Sequence, residues 1–295
     1  MICSAPRACS LSLAALLLSA GCALIERGWS ETAGVTELGE PLDGMSRSAA
    51  DPASMPKPRD VIAVEFVFVE RPVNDPLLGE ALWQDVAKVG NLTPETRARL
   101  ADNGFRIGHI GNTPPPALQT LLGLEAEISD EFAPADEKKL VIRRIMVPDD
   151  GEAEIQTGPL IAECAVPVRT ESRLRMNEYE TARCVFRVKA ERLQEGWAKL
   201  EFQPEIHHGP VRPRRVPAEG GWQYSNAQQI DPLFSLRFAV KLNVGEMAVL
   251  TVDRPHSESA GRRFFLIGEE DESQVQRLLI VRLADMTQAR PVRVE

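Results

Sequence analysis

Apolar residues recur at every second position over much of the chain beyond Ser129, and that period admits strands and little else. Leu160, Ala162, Cys164, Val166 and Val168 share one strand face, and Cys184, Phe186 and Val188 share another. Phe234, Leu236, Phe238, Val240 and Leu242 alternate with Ser235, Arg237, Ala239, Lys241 and Asn243. Leu140–Val147, Leu200–Phe202 before Pro204, Met247–Val252, Phe264–Ile267 and Leu278–Leu283 read as further short strands. Asn243-Val244-Gly245-Glu246 reads as a tight turn between two of them. Many short strands separated by turns predict an antiparallel sandwich or barrel-like sheet.

The stretch before Ser129 has a different rhythm. Val61–Val69 is almost wholly apolar with Glu65 its one charge, as in a strand buried on both faces. Asp75-Pro76 opens a helix carrying Leu78, Leu82, Val86 and Val89. Thr93-Pro94-Glu95 opens a second, stopped at Asn103-Gly104. Phe105–Ile110 is a strand. Thr113-Pro114 opens a third helix that ends at Gly123. The expected fold class is α+β: a small N-terminal β-α-α-β-α unit over residues 60–128, then a mainly antiparallel β domain, sandwich or barrel-like, over 129–286, with 287–295 a C-terminal tail.

The N-terminus carries a targeting signal. Arg7 precedes an apolar stretch from Ala8 to Gly21, too short for the ~20 residues of a spanning helix. Ser19-Ala20-Gly21-Cys22 follows, and small residues before a cysteine resemble the bacterial lipobox. The family prefers Leu where Ser19 stands. The resemblance implies cleavage after residue 21 and a diacylglycerol thioether, with palmitate or a similar acyl chain, on Cys22. An ordinary secretory signal or a signal anchor is the alternative. Two acyl chains anchor firmly at ~0.8 kcal/mol per buried CH2. Ala23 is not the Asp that retains such lipoproteins in the inner membrane, so the resemblance implies the outer membrane, facing the periplasm. Residues 22–59, rich in Gly, Ser, Ala, Pro and acids, read as a lipidated disordered tether with a reach of ~35 Å.

Losing 21 of 295 residues leaves 274, and the formal net charge moves from −9 to −10 because Arg7 is the one charge lost. An acidic chain without a long basic run is a poor match for nucleic acid. Of five cysteines, Cys3 and Cys9 leave with the signal and Cys22 takes lipid. Cys164 and Cys184 remain, and in an exported protein a pair points to a disulfide. A strand pair turning within Thr170–Glu180 would bring them together, closing a loop worth ~3 kcal/mol in the chain-entropy model. Two buried free thiols are the alternative.

Chemistry-bearing motifs are sparse. The chain holds no Gly-x-Ser-x-Gly, no Walker loop, no His-Glu-x-x-His and no Cys-x-x-Cys. No cofactor is expected and no catalytic residue is assigned. His207, with Glu205 two positions earlier on the same face, is the best metal candidate, set against a solvated turn. Gly268–Glu272 offers carboxylates without calcium-loop spacing and reads as a charged turn. Arg212, Arg214 and Arg215, among Pro210, Pro213 and Pro217, form a basic loop suited to anionic lipid or glycan, or simply exposed. Trp222 and Tyr224 on a Gly-rich stretch are candidate interface anchors, or core residues.

The run Ala198–Gln203 into Pro204-Glu205-Ile206, a long loop, an alternating strand ending in Val244-Gly245-Glu246, then Met247–Leu250 is similar to part of the secretin C-terminal domain. The stretch spans about 60 residues. The chain departs from secretins in lacking a pair of lipid-facing hairpins and a second periplasmic α/β module, and in being shorter. The resemblance implies at most an accessory of a secretin-like envelope assembly. The leading expectation is a lipid-anchored envelope protein that binds or builds without catalysis, its partners the membrane and an envelope protein. An envelope hydrolase using His207 and Glu205 is the third reading.

Overall fold

β1 (Asp60–Pro72) has no polar face to offer, and the fold buries both of its faces. In the computed structural model, which describes residues 60–87, 89–90, 92–124, 139–170, 173–218, 221–268 and 274–288, β1 lies inside a sheet. The strand order is β2 (Phe105–Ile110), β10 (Met247–Val252), β12 (Val275–Gln288), β1, β3 (Lys139–Pro148), all antiparallel, with the short β11 (Leu266–Ile267) also on β12. Strands from 60–128 and from 129–286 therefore share this first sheet. The signal, Cys22 and the 22–59 segment lie outside the described residues, as do residues 269–273 of the acidic turn and all of the expected tail but Thr287 and Gln288.

Alternation decides what each face of this sheet touches. Ile62, Val64, Phe66 and Phe68 of β1, with Leu250, Leu279 and Val281, face the main core. Val67, Val69, Val249, Leu278 and Ile280 face the other way, onto Leu78, Leu82, Leu118 and Leu121 of the helical segments. A strand covered on both sides must be apolar throughout, which is why all six residues of β10 are buried.

The helical layer is shorter than its apolar spacing predicts. Asp75 caps a single 3-10 turn, Pro76–Leu78, its carboxylate accepting from the Leu77 amide at 2.8 Å. α1 (Glu80–Trp83) follows, and Val86 and Val89 lie beyond its end. α2 (Pro94–Asp102) is capped by Thr93 as expected and stops at Asn103-Gly104, where φ is +79°. α3 (Pro116–Leu122) starts two residues after Pro114 and ends at left-handed Gly123.

The second sheet is built on two long strands, β6 (Leu174–Gln194) and β7 (Trp197–Ala218), paired antiparallel. Each serves two partners along its free edge. β6 takes β5 (Ile161–Arg169) and then β4 (Glu152–Gln156); β7 takes β9 (Phe238–Asn243) and then β8 (Gly221–Pro232). Phe186, Leu200, Phe202, Phe238 and Val240 pack this sheet against the first one. Phe105, Phe186, Phe264 and Phe265 meet edge-on or tilted with centroids 5.1–6.3 Å apart, geometry that aromatic quadrupoles favour. The architecture is broadly α+β and mostly antiparallel β.

Three strand expectations are corrected. Phe234–Leu236 forms a 3-10 turn, so the strand begins only at Phe238, and Phe234 stays exposed. Phe264 and Phe265 lie on α4 (Ala260–Phe265), which Ser259 caps, rather than on a strand. The Asn243–Glu246 turn does not close a hairpin. It carries the chain from β9 in the second sheet to β10 in the first, and local alternation cannot distinguish the two.

Candidate interaction site

β7 outruns the second sheet. Its pairing to β6 ends at Arg183↔His207, and beyond Gly209 it pairs, among the described residues, with β8 alone. Arg212, Arg214 and Arg215, expected on a basic loop between Pro210 and Pro217, lie instead on one strand of a two-stranded ribbon, with Arg212 opposite Ala227, Arg214 opposite Ser225, Arg215 opposite Tyr224 and Pro217 opposite Trp222. Prolines mislead here because a ribbon has two open edges, and a residue whose N–H faces outward loses no ladder bond to proline.

The root of the ribbon is built from a break in register. Pairing shifts between His208 and Arg212, with Gly209 at φ +73° supplying the bulge. Buried Gln228 fastens it, its amide donating to the carbonyls of Thr181 at 2.7 Å and Gly209 at 2.9 Å. Thr181, at φ +50°, is a left-handed residue within β6, with the β5–β6 register unchanged on either side. It moves the inward parity from Tyr179 to Ala182 and Cys184. Tyr179 donates its hydroxyl to Asp231, and its ring lies 4.8 Å from that of His208. Burial, then the bond to Asp231, pushes the Tyr179 hydroxyl well above the ordinary phenol value.

Past the root, the described side chains face solvent. Val211 is 64% exposed and Tyr224 68%. Arg215 donates from Nε to the Tyr224 hydroxyl at 3.0 Å, with its guanidinium 5.5 Å from the ring centre. Residues 211–227 hold three arginines and one acid, Glu219, in a chain of net charge −9.

His207 and Glu205 come together as their spacing predicts, but inside an ion-pair network. His207 Nε2 donates to Glu205 Oε2 at 3.0 Å, and each side chain is 3% exposed. Arg187 grips the same carboxylate, with Nε 3.0 Å from Oε1 and Nη2 donating to Oε2 at 3.2 Å. Arg183 Nη2 lies 3.4 Å from His207 Nδ1, which fixes Nδ1 as an acceptor and Nε2 as the protonated nitrogen. Both ring nitrogens of His207 thereby have a partner, and the Glu205 carboxylate is ion-paired to Arg187. Neither residue is a solvated turn; both sit mid-strand. Arg183 and Arg187 were missed in the sequence. Their i, i+4 spacing on one face of β6, across from Glu205 and His207, was the available signal. No group of three or more metal-ligating side chains occurs among the described residues.

Cys164 and Cys184 stand as free thiols, so the expected disulfide finds no support here. The strands that carry them do pair, out to Arg169↔Leu174. The register, however, sets Cys164 opposite Tyr179, five residues from Cys184, because the pairing is centred earlier than the midpoint of the two cysteines. Burial pushes both thiols above the ordinary thiol value, and Arg263 opposes the shift.

No family model and no curated protein matches this chain. Solved structures that it resembles are secretins. The pilotin–secretin AspS–GspD complex of ETEC matches at 14% identity and a TM-score of 0.23, covering 81% of this chain and 51% of that one. The type II secretin GspD of enteropathogenic Escherichia coli matches at 13% and 0.23, covering 80% and 71%. Aeromonas hydrophila ExeD matches at 15% and 0.23, covering 80% and 50%. This chain thus spans about half the length of two of these three. A TM-score of 0.23 is far below that of two chains sharing a fold, and function is taken from this chain's own residues.

Proposed function

We propose that this is an envelope protein held to the membrane through Cys22 that works by binding, with the β7–β8 ribbon as its contact surface. The observation that carries the reading is the ribbon itself. A two-stranded ribbon is marginally stable alone, and this one presents exposed Val211, Tyr224, Arg212 and Arg215 beyond the sheet that supports it. Guanidinium and phenol side on side suit an anionic or hydrogen-bonding partner in the envelope. The residues a hydrolase would use, His207 and Glu205, are held by Arg183 and Arg187 away from solvent.

A photo-crosslinking residue at Tyr224, expressed in the native envelope, is expected to give a discrete adduct that the same probe at exposed Phe234 does not. Identical patterns at both positions would remove the ribbon from the proposal. Cys22→Ala is expected to move the protein from the membrane to the soluble envelope fraction; unchanged fractionation would remove the anchor.

A second reading, an accessory of a secretin-like envelope assembly, rests on the Pro204-Glu205-Ile206 and Val244-Gly245-Glu246 order. A ring-sized native mass in mild detergent would favour it, and a monomer would not.

A further inference from the structure

β3 is an edge. Among the described residues it pairs with β1 and with no other strand, so alternate residues direct both N–H and C=O away from the sheet. A ten-residue edge with open main-chain groups is a template for a further strand.

Two features narrow what that strand can be. First, Leu140, Ile142 and Met146 project from one face of β3 and are 38%, 60% and 53% exposed. Leu140 and Ile142 border a groove of about 350 Å³ that Leu122 and Leu124 close from the end of α3. Alternate side chains of an added strand would lie beside Leu140 and Ile142, at the rim of this groove. Secondly, β3 is basic in an acidic protein: Lys139, Arg143 and Arg144, with no acid of its own. Arg144 has Glu65 at 3.7 Å, but Arg143 is exposed opposite Phe66.

That charge also bears on a second copy of the chain. In the two-fold registers with the longest overlap, Arg143 would oppose Arg143, or Arg144 would oppose Arg144. Like charges directly opposite destabilise a strand pair. We propose that the β3 edge is a docking site for an extended peptide of a partner protein, alternating apolar residues with Asp or Glu, that adds antiparallel to β3 with apolar side chains over Leu140 and Ile142 and a carboxylate at Arg143.

The test uses the full chain and a fluorescent ten-residue peptide alternating Val and Glu, read by anisotropy. Saturable binding is expected, and weakening of about tenfold or more when alternate peptide amides are N-methylated, since only main-chain pairing needs those N–H groups. Arg143→Glu is expected to weaken the Glu peptide by about tenfold and to favour a Val/Lys peptide instead. Arg143 is exposed, so the far-UV spectrum should not change. Removal of Val211–Ala227 should leave binding intact, which separates this site from the ribbon. Absence of binding, binding indifferent to N-methylation and to Arg143→Glu, or binding that appears only once residues 125–138 are deleted would each overturn the proposal.

Discussion

At the scale of single residues, the deciding question is whether a polar or small side chain has room and partners. Glu205 is the clearest case. Removing its carboxylate leaves Arg187 and His207 without their shared acceptor, and breaking a buried pair costs more than the pair contributes. Arg187 is 34% exposed and can recover some hydration, so the loss for Glu205→Ala is expected near ~2–3 kcal/mol, below the range of fully buried pairs. Urea unfolding measures it; a loss below ~1 kcal/mol would mean the network is ornamental. Gly261 tests the reverse. Alanine in a helix normally stabilises by ~1 kcal/mol. Here a Cβ would stand 2.1 Å from the Gly104 carbonyl oxygen, so Gly261→Ala is expected to destabilise by about 2 kcal/mol in a thermal melt. Tyr179 gives a pH dependence. Its hydroxyl titrates above the 10.0 of an unfolded tyrosine, so the folded state holds the proton more tightly. That contribution is complete below pH 10 and is lost as pH rises toward the folded value. Absorbance at 295 nm should show a late tyrosinate that Tyr179→Phe removes.

At the scale of elements, the ribbon and the sheets should behave as separable parts. None of the described side chains of 211–227 belongs to either hydrophobic cluster. Replacing them by Asn-Gly, which closes a two-residue hairpin, is expected to change the urea midpoint little, by under ~1 kcal/mol. A collapse in stability would mean that the ribbon packs. The thiols belong to this scale too, because strand register separates them. Alkylation in denaturant without reductant is expected to label both Cys164 and Cys184, and recovery of a linked peptide pair would restore the disulfide.

Over the whole described unit, its first and last strands close one sheet. β1 pairs with β12 from Asp60↔Gln288 to Pro72↔Val275, and these strands are about 200 residues apart in sequence. Deletion of β12 is therefore expected to yield an insoluble or unfolded product rather than a shorter folded domain, as checked by solubility and far-UV spectra. Pairing of such distant segments also makes folding slow for a chain of this size, since loop closure precedes any gain in contacts.

The sequence by itself determined what depends on near neighbours. Period two marked β6 and β9, and unbroken apolar character marked β1 as buried on both faces and Met247–Val252 as a strand. Thr93-Pro94 and Gly123 marked helix ends, because cap and left-handed positions are local backbone requirements. His207 and Glu205 were legible as a pair because i, i+2 residues share a strand face. Tertiary structure decided the rest. Whether Phe264 is strand or helix, whether the 243–246 turn stays in one sheet, and whether Arg212–Arg215 is loop or ribbon depend on partners far along the chain. The register of β5 on β6, which keeps Cys164 from Cys184, and the placing of Arg187 on Glu205 are equally nonlocal. Alternation states that a strand has two faces; only packing states which strand lies beside it and what covers each face.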